Sequence, residues 1–106
     1  MTNVRVVLVT APDSACAEAL AHALVEERLA ACVNVVPGVR SFYRWEGRIQ
    51  EDAEFLLVAK TRAEHLDALA ARVDALHPYD LPEVLALSAT EGSDAYLDWV
   101  LTETQG

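Results

Sequence analysis

The densest concentration of reactive side chains is His77-Pro78-Tyr79-Asp80-Leu81-Pro82-Glu83. An imidazole, a phenol and two carboxylates fall within one short segment. Pro78 and Pro82 stiffen the backbone between them, so His77, Tyr79 and Glu83 are held in nearly fixed directions. Rigidly placed imidazole and carboxylate donors are what a metal ion or a small polar ligand requires. Two structural roles compete with that chemistry. A histidine closing a helix interacts favourably with the helix dipole, and Glu83 can simply face water. Spacing by itself favours these structural roles over ligation. No second histidine lies at a ligand spacing from His77, so a structural zinc site needs donors from a neighbouring chain. Copper accepts imidazole and thiolate, but Cys16 and Cys32 stand at apolar positions.

Three further residues are candidates for ligand contact. Lys60, at the end of a strand, is placed to meet an anion or a carboxylate, although solvation of its amine is the commoner fate. Trp45 and Trp99 can stack on a ligand, with core or interface packing as the competing role. His22 and His65 lie on two helices, are expected at the surface, and receive no role. Enzyme signatures are missing: the four glycines are scattered, and neither a phosphate-cradling loop nor a GxSxG elbow occurs. The segment Thr10 to Ser14 lacks the glycines and arginine that would cradle a phosphate. The chain is therefore not expected to be an enzyme.

The elements that must position these groups are legible from periodicity. Val4 to Thr10 is a β-branched apolar run and reads as a buried central strand. Asp13 or Ser14 caps a helix continuing to about Arg28, with Cys16, Leu20, Ala23 and Leu24 on one face. Cys32 to Trp45 and Arg48 to Lys60 read as two long strands joined by Glu46-Gly47, where Gly47 supplies the positive φ of a tight turn. Val39, Ser41, Tyr43 and Trp45 point one way; Arg40, Phe42 and Arg44 point the other. Pro37-Gly38 predicts a bulge or bend. Thr61 and Glu64 match a capping box ahead of a second helix carrying Leu66, Leu69, Ala70, Val73 and Leu76. Pro78 stops that helix. A strand over Val84 to Ala89 and a short helix opened by Gly92-Ser93 complete the chain. The order predicts an α+β fold: a ferredoxin-like split βαβ sandwich with a long central hairpin and an extra C-terminal helix, as a single domain over residues 1–106.

Hairpin length carries its own inference. An arm of about thirteen residues at roughly 3.3 Å each spans about 43 Å. A globule of this chain length is roughly 34 Å across. The hairpin is therefore expected to overhang its own domain. A ribbon exposing Phe42, Tyr43 and Trp45 needs another chain to cover it, which predicts a homo-oligomer.

The formal net charge of −9 repels polyphosphate, so no nucleic-acid partner is expected; cations or neutral ligands fit better. The acidic runs over Glu46 to Glu54 and Glu91 to Glu103 read as solvated faces. No apolar run is long enough to span a membrane, and Met1-Thr2-Asn3 lacks the basic start of a signal peptide, so a cytoplasmic location is expected. Two cysteines are too few and too widely spaced for a disulfide framework.

Several segments taken together resemble the CutA-type divalent-cation-tolerance proteins: Leu29-Ala30-Ala31-Cys32-Val33-Asn34, Val36-Pro37-Gly38, Tyr43-Arg44-Trp45-Glu46-Gly47, Lys60-Thr61, His77 through Glu83, and Tyr96-Leu97-Asp98-Trp99. They occur in the family's order and cover nearly the whole chain. The resemblance implies a ferredoxin-like subunit in a tight homotrimer, with long strands pairing between subunits. It implies a likeness to the trimeric nitrogen-regulatory PII signalling proteins, whose ligands bind in intersubunit clefts. Members are associated with tolerance to copper and other divalent cations, and some are described as copper binders. His77, Tyr79 and Glu83 stand in the family's His-Pro-Tyr-x-x-Pro-Glu motif, which implies His77 and Glu83 as ligands of a copper or zinc ion. Trp45, Lys60 and Trp99 match positions in the intersubunit cleft, which implies a ligand-binding set of Trp45, Lys60, Tyr79 and Trp99. Some members carry a cysteine ahead of Thr-Ala-Pro as a proposed ligand; here that position is Val9, and a site of His77 with carboxylates is harder and weaker. The alternative is a PII-like signalling or structural scaffold without intrinsic metal binding.

Overall fold

Strand β1 (Val4–Ala11) lies inside the sheet, as its β-branched run dictates. The structure is a computed structural model describing residues 2–106. Helix α1 (Ser14–Glu26) follows, then strands β2 (Cys32–Trp45) and β3 (Arg48–Arg62), helix α2 (Leu66–Leu76), strand β4 (Leu85–Ser88) and helix α3 (Asp94–Glu103). The sheet order is β2-β3-β1-β4 with every pairing antiparallel, the ferredoxin-like arrangement expected from the order of elements. Val7, Val9 and Ala11 of β1 and Leu57 and Ala59 of β3 alternate onto one face. There they pack against Leu20 and Leu24 of α1 and Leu69 and Val73 of α2. Cys16 is partly buried against this core.

Helix α3 is not part of that layer. Its Val100 packs on Val4, and the side chain of Arg62, paired with Val4, bonds Thr104 and Leu101. Val4 alternates away from Val7, so α3 covers one end of the opposite sheet face. The rest of that face carries partly exposed Val6, Leu8, Leu56 and Val58, with Leu85 and Leu87 of the edge strand 55% and 50% exposed.

Local chemistry explains the element ends. The Asp13 carboxylate accepts the Cys16 N–H at 2.8 Å and caps α1. The helix stops at Glu26, two residues before Arg28, because Arg28 turns to a φ of 59°. Arg28 N–H then donates to Val25 O and Leu29 N–H to Leu24 O, the paired bonds of a Schellman ending. Glu46 and Gly47 both have positive φ, 51° and 75°, which gives the two-residue turn the twist its strands need.

The capping box of Thr61 and Glu64 does not form. Strand β3 runs past Lys60 to Arg62, pairing Thr61 with Arg5. The buried Thr61 hydroxyl donates to Leu29 O at 2.6 Å, while Glu64 accepts from Asn3. Helix α2 begins instead after a 3-10 turn, Ala63–His65, without a side-chain cap. His65 is half-buried rather than at the surface, its ring nitrogen meeting Thr104 O.

The hairpin overhangs. Strand β1 pairs with β3 only as far as Phe55. Beyond it, seven consecutive β2–β3 pairs, Val39↔Glu54 to Trp45↔Arg48, have no third strand beside them. At roughly 3.3 Å per residue this two-stranded part extends about 20 Å, and the molecule measures 44 × 25 × 23 Å. The bulge between Val36 and Val39, with Gly38 at a φ of 77°, lies at the base of the overhang.

Candidate functional site

His77 closes α2 in an extended conformation, as Pro78 demands of the residue before it. Its side chain is 7% exposed and bonded at both ends. Nδ1 lies 3.2 Å from the Tyr79 N–H, which can only donate. Nε2 lies 2.7 Å from Thr10 O, which can only accept. The tautomer protonated on Nε2 satisfies both, and it leaves no lone pair for a metal. His77 thus pins the Tyr79–Glu83 loop to the end of β1, and Tyr79 packs against its ring at 4.6 Å.

Tyr79 in turn reaches the hairpin. Its hydroxyl donates to Glu54 Oε2 at 2.9 Å. Burial, followed by that bond and the Glu54 charge, pushes the Tyr79 phenol far above its ordinary value, so it stays a neutral donor. Glu54, expected within a solvated acidic face, is 6% exposed. It shares with Leu56, Val58 and Lys60 the sheet face turned away from the main core, so alternation alone does not bury it; the Tyr79 loop does. The Glu83 carboxyl is also raised above the ordinary carboxylate value, by burial first and by repulsion from Glu54 second. Two pairs up the ribbon from Glu54, Asp52 accepts the Tyr43 hydroxyl.

Between the loop and the overhanging hairpin lies a cavity of about 690 Å³, the size of a small-molecule site. Tyr43, Trp45, Tyr79, Glu54, Asp80 and Glu83 contribute to its wall. It draws on β1, the hairpin and the loop after α2, so no single segment builds it.

The CutA1 divalent ion tolerance protein family model matches residues 5–103. The chain belongs to this family. Among CutA relatives, the divalent-cation tolerance protein CutA of Thermus thermophilus is 54% identical over 100 residues, covering 94% of this chain and 97% of the relative. The chloroplastic protein CutA of Arabidopsis thaliana is 51% identical over 100 residues. That alignment covers 94% of this chain and 55% of the plant protein, so the chain spans about half of it. The solved structure of the Thermus thermophilus protein superposes with a TM-score of 0.94 at 52% identity, covering 96% of this chain and 99% of that one. CutA from Xylella fastidiosa superposes at 0.95 with 44% identity, covering 98% and 100%.

Within this CutA-family chain the expected site residues fall into two groups. Trp45, Tyr79 and Glu83 line the cavity, with His77 bracing the loop beside them. Lys60 and Trp99 lie at the other end of the sheet. The Lys60 amine meets Asn34 Oδ1 and stands 3.8 Å from Cys32 Sγ. Trp99 packs against Tyr96 at 5.7 Å, on α3. Lys60 stands six positions beyond Glu54 on β3, about 20 Å of strand. Among the described residues, no three His, Cys, Asp or Glu side chains converge as a metal site. The donors of this chain therefore do not by themselves fit a copper or zinc ion, and Val9 is sealed in the core.

Proposed function

We propose that this CutA-family chain serves divalent-cation tolerance as a cytoplasmic homotrimer whose clefts take up a cation beside Glu54, Tyr79 and Glu83. The observation that carries the reading is the charge of the cavity wall. Glu54, Asp80 and Glu83 line it, and no lining residue is basic. A desolvated carboxylate without a countercharge is costly, and a bound cation removes that cost. The trimer is supported by the unsupported length of the hairpin, since an isolated two-stranded ribbon is marginal in water. It is supported again by the apolar sheet face that α3 leaves uncovered. Assembly would also offer a route for Trp99 of one subunit to reach the Tyr79–Glu83 loop of another, and for a second subunit to supply the donors a copper or zinc ion still needs. A cytoplasmic location agrees with two cysteines that are free thiols.

Sedimentation velocity at micromolar concentration, with calorimetric titration of copper and zinc, tests this. The expected results are the mass of three chains and saturable uptake weakened in Glu83→Gln. A single-chain mass, or no saturable uptake of either ion, would overturn it.

A further inference from the structure

We infer that the same cleft also takes an organic cation, a linear alkylammonium with more than one charge, an assignment that rests on the cation-holding reading above. The cavity is built differently from a site for a bare metal ion. Its volume of about 690 Å³ far exceeds what an ion needs. Its carboxylates do not converge, since no three metal-donor side chains meet among the described residues. They are spread along a groove instead.

Aromatic rings stand among them. The sheet face that carries Glu54 carries Tyr43 and Trp45 further along the ribbon, with Tyr79 facing them from the loop. With Phe42, four of the seven aromatic residues of the chain thus border one cavity. A ring face attracts a desolvated ammonium through its quadrupole and tolerates the attached methylenes, neither of which serves a hydrated divalent ion.

Charge supplies the independent observation. Glu54 is 6% exposed, and its only hydrogen-bond donor among the described residues is the neutral Tyr79 hydroxyl. No ion pair among those residues includes it. The nearby hairpin arginine, Arg40, turns to the opposite face, where it pairs with Glu51 and stands over the Phe42 ring at 5.5 Å. The chain therefore holds a nearly buried anion at the base of an aromatic groove and gives it no countercharge. A terminal ammonium on Glu54, with its methylenes along Tyr43 and Trp45 and a second ammonium near Asp80 or Glu83, completes the site.

Spermidine is the probe, titrated into the intact protein at physiological ionic strength by calorimetry. A net charge of −9 attracts any polycation, so the deciding variant removes no charge. Trp45→Ala deletes a partly exposed ring and leaves every carboxylate in place. The expected result is saturable uptake of one spermidine per chain, weakened at least tenfold by Trp45→Ala and by Glu54→Gln, with magnesium chloride unable to displace it at equal charge. Uptake unchanged in Trp45→Ala, or abolished by magnesium, would reduce the effect to surface charge and overturn the inference. Zinc or copper uptake without spermidine uptake would overturn it while leaving the cation cleft standing. Uptake of none of these cations would remove both.

Discussion

Replacing His77 by alanine separates a brace from a metal ligand. The substitution removes the bond from Nε2 to Thr10 O and the bond from the Tyr79 N–H to Nδ1, both made by a side chain 7% exposed. Each bond contributes about 0.5–1.5 kcal/mol net, and a buried carbonyl left without its donor adds about 1–3 kcal/mol. Tyr79 also loses the ring it packs against. The expected loss is about 2–4 kcal/mol. Urea unfolding at one fixed protein concentration, with EDTA present throughout, reads this as a midpoint lowered by about 1–2 M, since slopes for small domains are about 1–3 kcal/mol per molar. The chelator makes the experiment decisive, because a brace acts with or without metal. A variant within about 0.5 kcal/mol of the wild type in EDTA would refute the bracing role. So would a wild type that falls to the variant's midpoint once metal is removed, because His77 would then stabilise the fold only through a bound ion.

Three other outcomes are expected from neighbouring contacts. Tyr79→Phe strips the donor from Glu54 and should cost about 1–3 kcal/mol, whereas in a Glu54→Gln background the same change should cost much less; thermal melts of the four proteins of that cycle give the coupling. Glu46→Asn should raise stability by about 1 kcal/mol in urea unfolding, because Glu46 sits at a φ of 51° that asparagine tolerates better. Because the Glu83 carboxyl is raised above its ordinary value of 4.5, the folded state favours the protonated form. Its contribution is complete below that value and is lost as pH rises through the raised one. Glu83→Gln should therefore gain on the wild type across that window in pH-dependent unfolding, and wild-type cation uptake should strengthen over the same window, since uptake needs the ionised carboxylate.

Much of this architecture is written in local pattern. Period-two alternation predicts Cys32 to Trp45 with the bounds observed for β2, and the order of elements is enough to select the ferredoxin-like sheet. Gly47, Asp13 and Ser93 act where turn and cap chemistry place them. These features are legible because backbone geometry and nearest neighbours decide them.

The cavity is different in kind. Glu54 looks like one more residue of a solvated acidic run until Tyr79, 25 positions later, lays its hydroxyl on it. Thr61 looks like a cap until two more pairs with β1 draw it into the sheet. Lys60 and Trp99 look like partners of Tyr79, and β3 and α3 carry them to the far end. The bulge at Pro37-Gly38 is the sharpest case. Before it, Cys32, Asn34 and Val36 occupy the face of Lys60 and Leu56; after it, Val39, Tyr43 and Trp45 share that face with Glu54. One irregularity changes the parity of the strand, so rings that simple alternation from Cys32 would turn away are brought over the carboxylate. Sequence determined that these side chains exist on rigid elements at known spacings. Tertiary register decided which of them share a space, because that depends on pairings between segments that no local period encodes.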